Sequence, residues 1–219
     1  NAVRADGPQY LFKSIGSRRM AHIYRKYWAV PEMFPANTPG VITARDRFAM
    51  AFTPEELCGR VSRLTNTRDS DEILRKEFDL KDTRGWSLSN ARIALRERLD
   101  WKESIRLILQ APFDHRHVSY DVRLIDWGRW RFYSRLPDRY LGLCLPRKID
   151  IQRGWEHVFV AEELISHHAV SMKEVNYFFP LIIDRIENLS PAFRAFIDAR
   201  YDHHYTPEEI LGYIYAVLH

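Results

Sequence analysis

The chain has little cysteine, little lysine and no long apolar run. Cys58 and Cys144 are the only two cysteines in 219 residues, far apart and in apolar contexts. That excludes a disulfide framework and implies free thiols in a reducing compartment. No stretch reaches the ~18 consecutive apolar residues of a membrane helix, and no charged-then-apolar leader opens the chain. No membrane partner is therefore expected, and a cytoplasmic location is. Seven of the 33 cations are lysine and the rest arginine. The planar guanidinium suits phosphate and guanine edges in a way the ammonium does not. Asn1-Ala2 and the helical pattern that stops at His219 are expected of a piece of a longer polypeptide.

What is present is a concentration of positive charge. From Asp114 to Arg153 stand nine cations against five aspartates, a surplus of four that equals the formal net charge of the whole chain. Tyr120, Trp127, Trp130, Phe132, Tyr133 and Tyr140 are interleaved with the arginines. Clustered arginine among flat rings fits a surface that neutralises phosphates and lies against bases or sugars. The competing reading is a set of solvated edge residues paired with the neighbouring aspartates. The first reading expects the surplus charge to gather on a single folded face.

The local pattern predicts an α+β fold. Its centre is a mixed or antiparallel sheet, flanked by helices and followed by a helical C-terminal segment. Residues 1–52 read as a β-rich leading segment, with strands at Val41-Ile42-Thr43 and Phe48 to Phe52. Residues 53–105 read as a helical spacer. Thr53-Pro54-Glu55-Glu56 opens a helix with a capping sequence, Ser70 caps a second, and a third runs from about Ser89 to Leu99. Residues 106–219 read as a sheet-centred core. Its strand-like runs are Ile105–Leu109, His117–Tyr120, Trp130–Tyr133, Leu141–Leu145, His157–Val160 and Phe178–Ile183, and helices start at Ser190-Pro191 and Thr206-Pro207.

Several stretches, in order, resemble the C-terminal specificity domain of type ISP and related fused restriction-modification enzymes. They are Gly40 to Asp46, Lys81 to Trp86, Ala91-Arg92, Pro112-Phe113-Asp114-His115-Arg116 with Tyr120, Leu143 to Arg147, His167-His168, Asn176 to Leu181, and Tyr213 to His219. The sequence departs from the family at Gln110-Ala111, where Tyr-Arg is usual, and at Trp127 to Arg131. The resemblance implies a target-recognition domain that follows an N6-adenine DNA methyltransferase in the same polypeptide. Its implied partners are double-stranded DNA and that methyltransferase domain. The chain has no Pro-Pro dipeptide and no Gly-x-Gly-x-x-Gly loop. No cofactor is therefore expected in this fragment; S-adenosylmethionine is implied for the parent protein.

The expected phosphate contacts are Arg116, Arg129, Arg131, Arg135 and Lys148. The expected base-reading residues are Arg147, His168, Ser171, Lys173 and Asn176, which fall in polar turns between strands. Asp114 and Arg116 have the alternative of pairing with each other to fix a turn. No catalytic residue and no metal ligand is expected. Neighbouring histidines such as His167-His168 and His203-His204 point in different directions and seldom hold one ion. The rival functions are a divergent nuclease, for which Asp79-Leu80-Lys81 and Asp100-Trp101-Lys102 carry a chance-prone spacing, and an interaction module that docks catalytic domains without reading bases.

Overall fold

The computed structural model describes residues 22, 26–66, 68–147 and 157–218. It is an α+β protein with antiparallel strand pairing and C-terminal helices, and it divides into two compact units. One is continuous, Val41–Gly128; the other combines Asn1–Gly40 with Arg129–His219. No described helix is long and apolar enough to cross a membrane.

The continuous unit contains α2 (Asp46–Ala49), β2 (Met50–Ala51), α3 (Pro54–Thr65), α4 (Asp71–Phe78), α5 (Leu88–Glu97), a 3₁₀ turn (Asp100–Ser104), β3 (Ile105–Ala111) and β4 (Asp114–Ser119). Helix starts follow local chemistry. The Thr53 hydroxyl accepts from the Glu56 N–H at 3.2 Å, and Ser70 accepts from Ile73 at 3.4 Å. Each such cap is worth about 1 kcal/mol. Leu57, Val61 and Leu64 form the buried face of α3. The third helix begins earlier than expected, because Ser87 rather than a later serine caps it, accepting from Asn90 at 3.3 Å. β4 lies between β2 and β3, with Met50 opposite Val118 and Ile108 opposite Arg116. Only the end of the Phe48–Phe52 run is strand. The Arg45 carbonyl accepts from both Phe48 and Ala49, which winds the first part into α2.

The second unit holds α1 (Val30–Met33), β1 (Thr38–Pro39), α6 (Trp130–Tyr133), β5 (Gly142–Pro146), β6 (Phe159–Ala161), β7 (Leu164–Ile165), β8 (Asn176–Pro180), β9 (Ile182–Ile183), β10 (Ile186–Glu187), α7 (Pro191–Tyr201) and α8 (Pro207–Leu218). Its antiparallel sheet runs β1-β8-β5-β6. All five residues of the apolar run β5 are buried, as a central strand requires. Leu143, Leu145 and Phe179 join Phe193 of α7, Ile210, Leu211 and Ile214 of α8 and Val30, Met33 and Phe34 in one core. On the alternate positions, Phe178 stacks on Tyr133 of α6 with ring centroids 6.1 Å apart. The expected strand at Trp130–Tyr133 is therefore a helical turn. Arg129 enters it with φ 58°, and its carbonyl accepts from Tyr133 at 3.1 Å. The aromatic-rich run reads like a strand, but only Tyr133 is buried, which reflects one-sided packing of a single turn on the sheet.

Asp184 and Arg185 link β9 to β10 with positive φ at both central positions, as a two-residue hairpin demands. At the other end of the sheet, Gly40 donates its N–H to the Asn176 carbonyl at 2.9 Å. A Cβ on Gly40 would stand 2.4 Å from the Ser166 carbonyl oxygen, so close backbone approach selects glycine.

Candidate nucleic-acid interface

The end of the sheet where β8 begins carries a connection, residues 166–175, that is fixed from within. Asn176 is fully buried. Its amide nitrogen donates to the carbonyls of His167 at 2.7 Å, Glu174 at 3.1 Å and Ser171 at 3.2 Å, and its amide oxygen accepts from the Ser171 N–H at 3.1 Å. One side chain thus closes the whole loop. The antiparallel register of β5 and β8 sets Pro146 opposite Asn176, so Arg147 leaves the sheet beside the loop and donates its N–H to Val175 at 2.6 Å.

This scaffold presents a mixed polar surface. Arg147, Lys173 and Met172 are exposed, and Ser171 and His168 are half-buried. The rings of His167 and His168 meet edge to face at 4.9 Å, and neither Nδ1 has a hydrogen-bond partner among the described residues. Arg129 adds its field to His167. Burial, then His168 and Arg129, hold the His167 pKa below the ordinary histidine value, so this imidazole is neutral at pH 7. Burial likewise pulls the Arg129 pKa down; its Nε donates weakly to the Gly40 carbonyl at 3.4 Å. Arg131 is exposed on the adjoining turn.

Of the residues singled out in the sequence, this end of the sheet brings together Arg129, Arg147, His168, Ser171, Lys173 and Asn176. Asn176 organises the loop from inside, and its amide is spent on backbone groups. Arg116 lies in the other unit and grips Asp114, with Nε and Nη2 at 2.9 and 2.7 Å from the carboxylate. The alternative of an internal pair is what the structure contains. Arg135 is beyond the opposite end of β8 and holds Asp184 of the β9–β10 turn at 2.6 Å. Lys148, like Arg153, lies outside the described residues.

The expectation that the arginines of this stretch of sequence are all available as surplus charge is corrected by their ion pairs. The 114–153 segment is divided between the two units at residue 128, and Arg116, Arg123 and Arg135 are each engaged with a carboxylate. Arg131, Arg139 and Arg147 are exposed and make no ion pair with a described residue. Sequence reasoning passed over Met172, whose 68% exposure puts an apolar tip between Ser171 and Lys173. An isolated methionine in a polar loop is the signal that was available.

Among the described residues, no group of three or more His, Cys, Asp or Glu could hold a metal ion. Asp100, one carboxylate of the nuclease-like spacings, is held by Arg123 at 2.7 Å and Arg98 at 2.6 Å.

No protein of curated function matches the sequence. Several solved structures match the chain, among them these three. A cryo-EM structure of a DrdV–DNA complex is 20% identical with a TM-score of 0.62, over 85% of this chain and 19% of that one. The ATP-dependent Type ISP restriction-modification enzyme LlaBIII bound to DNA is 15% identical with a TM-score of 0.56, over 85% of this chain and 13% of that one. A nuclease-deletion mutant of the Type ISP restriction-modification enzyme LlaGI with a DNA substrate mimic is 16% identical with a TM-score of 0.48, over 74% and 17%. This chain thus spans less than a fifth of the length of each. The model of one family matches residues 32–219, nearly all of the described chain, and on that match the protein belongs to the Type ISP C-terminal specificity domain family.

Proposed function

We propose that this chain reads a short target in duplex DNA for an N6-adenine methyltransferase carried elsewhere in its parent polypeptide. The observation that carries the reading is the loop closed by buried Asn176, which sets Lys173, Met172, Ser171 and His168 beside exposed Arg147 at one end of a rigid sheet. Cations there would neutralise phosphates, and the fixed short side chains between them would meet base edges in the major groove. Membership of a specificity-domain family supports this, as does the description of fold relatives as DNA complexes.

The chemistry of methyl transfer belongs outside this fragment. The chain has neither the glycine-rich loop nor the Asn-Pro-Pro-Tyr-type motif with which an S-adenosylmethionine site and a flipped adenine are held. The fragment is accordingly a non-catalytic reader, working in the cytoplasm, whose second partner is the methyltransferase domain.

The test is selection of bound duplexes from a pool with a random central sequence, followed by affinity measurements across a salt series. Enrichment of one short sequence, with affinity that falls steeply as salt rises, is the expected result. Salt-dependent binding without any enriched sequence would replace the reading with that of a docking module. Mg²⁺-dependent cleavage of plasmid by the purified chain would replace it with a nuclease.

A further inference from the structure

The connection between β3 and β4 is built against conformational preference. Ala111 pairs with Asp114, so the chain reverses through Pro112 and Phe113 alone. Phe113 has φ 62°. Proline followed by a residue of positive φ is the type II turn pattern, and the second position ordinarily takes glycine or asparagine. A bulky ring there is a genuine outlier, and such strain persists at sites where it serves a purpose. Burial does not compensate it, because Phe113 is 88% exposed.

The base of this tip is braced. The Asp114 carboxylate takes both Nε and Nη2 of Arg116, and the same guanidinium lies 4.7 Å above the Phe52 ring. The pairing holds Asp114 against the sheet immediately after the turn, so the ring projects from a fixed platform. Between Ile105 and Ser119 the hairpin carries Arg106 and Arg116 against Asp114, a formal surplus of one positive charge. An apolar protein surface would gain nothing from that charge; a polyanion would.

We infer that Phe113 is an aromatic wedge, pushed by this cationic hairpin against the bases of duplex DNA so that it stacks at a partly opened base step. The inference rests on the DNA-reading function proposed above and adds a contact from the unit Val41–Gly128. Insertion of an apolar side chain at a step exchanges base stacking for ring stacking and bends the duplex. It releases no counterions, so it contributes affinity without adding to the salt dependence.

The experiment compares the parent chain with Phe113→Asn and Phe113→Trp, using duplexes of random central sequence and duplexes containing 2-aminopurine as a stacking reporter. Asparagine accepts the left-handed backbone, so the Asn variant should melt no lower than the parent. It should bind about tenfold more weakly with an unchanged salt slope, given that ring–base stacking is worth ~1–3 kcal/mol. The 2-aminopurine signal that rises with the parent should be absent with Phe113→Asn and retained with Phe113→Trp. Equal binding by parent and Phe113→Asn would overturn the wedge and leave DNA reading intact. A lowered melting temperature in both variants, with binding lost in both, would show the ring to be structural. If the folded parent binds no duplex even at low salt, DNA reading itself is wrong and the wedge falls with it.

Discussion

In Val41–Gly128 the arginines Arg45, Arg92 and Arg123 turn inward. Arg45 stacks 3.9 Å above Trp86, donates to the Thr43 and Leu124 carbonyls and pairs with Asp126 at 2.6 Å. Arg92 closes the C-terminal end of α3 by donating to the carbonyls of Leu64, Asn66 and Asp69, and its remaining nitrogen pairs with Asp71. Arg123 joins Asp121 and Asp100 and bonds the Arg98 carbonyl. In the other unit Arg131, Arg139 and Arg147 are exposed, and Arg194, tied to Glu187 and the Tyr205 carbonyl, is its inward-turned counterpart. The difference teaches that arginine enrichment has two causes in one chain. A guanidinium with several carbonyls and a carboxylate around it is a substitute for missing secondary structure, satisfying orphan helix-end carbonyls. A guanidinium at the end of a rigid sheet with no anion beside it is available to a ligand.

The comparison breaks most visibly at Arg92. Arg92→Ala removes the ion-pair partner of Asp71, which keeps only the Ser89 hydroxyl, and the main donor to three carbonyls, in a site where the arginine is 5% exposed. It should cost about 3–5 kcal/mol in chemical denaturation, as removal of one member of a buried ion pair does. DNA affinity measured on the remaining folded fraction should not change. Asn176→Ala comes next. It removes the groups that close the 166–175 loop, which should cost about 2–4 kcal/mol and should also weaken DNA binding, because the loop loses its shape. A stability loss with unchanged binding would detach the loop from the interface.

Arg147→Ala combined with Lys173→Ala should behave in the opposite sense to Arg92→Ala. Stability should stay within about 0.5 kcal/mol, while affinity for duplex DNA falls and the salt slope drops by about two. An unchanged slope would show that these two side chains touch no phosphate. The smallest effect is in acid. The folded-state pKa of His167 is lowered by burial, so the unfolded chain binds its proton first. That contribution to stability is present above about pH 6.5 and is lost as the pH falls through and below that value. Asp71, Asp82, Asp100 and Asp114, all lowered through hydrogen bonds, add their losses only below the ordinary aspartate range. A pH titration of the melting temperature should therefore show a shallow first step that disappears in His167→Gln.

The helix starts were legible in the sequence because a cap is a contract between residues three apart. Ser70 and Thr53 do in the structure what their sequence context predicts, and so do Ser190 and Thr206. The buried central strand Gly142–Pro146, expected at Leu141–Leu145, was legible for a similar reason, since continuous apolar residues leave it no solvated face. Trp130–Tyr133 was not, because alternation over four residues cannot distinguish a strand from one helical turn lying on a sheet. The candidate site was half legible. Arg147, Lys173 and His168 stood in polar turns, whereas the role of Asn176 depended on which carbonyls the fold would bring around it.

The amino-acid order by itself determined where the helices capped by Thr53, Ser70, Ser190 and Thr206 begin, which strand is central and which family the chain resembles, since each of these is written in residues close together along the chain. Only the tertiary structure decided which arginines are available to a ligand. Arg135 is paired with Asp184 and Arg123 with Asp100, 49 and 23 positions away in the sequence, whereas Arg131 and Arg147 face solvent. Charge is a property of composition, but neutralisation requires a partner within hydrogen-bond reach, and folding chooses that partner.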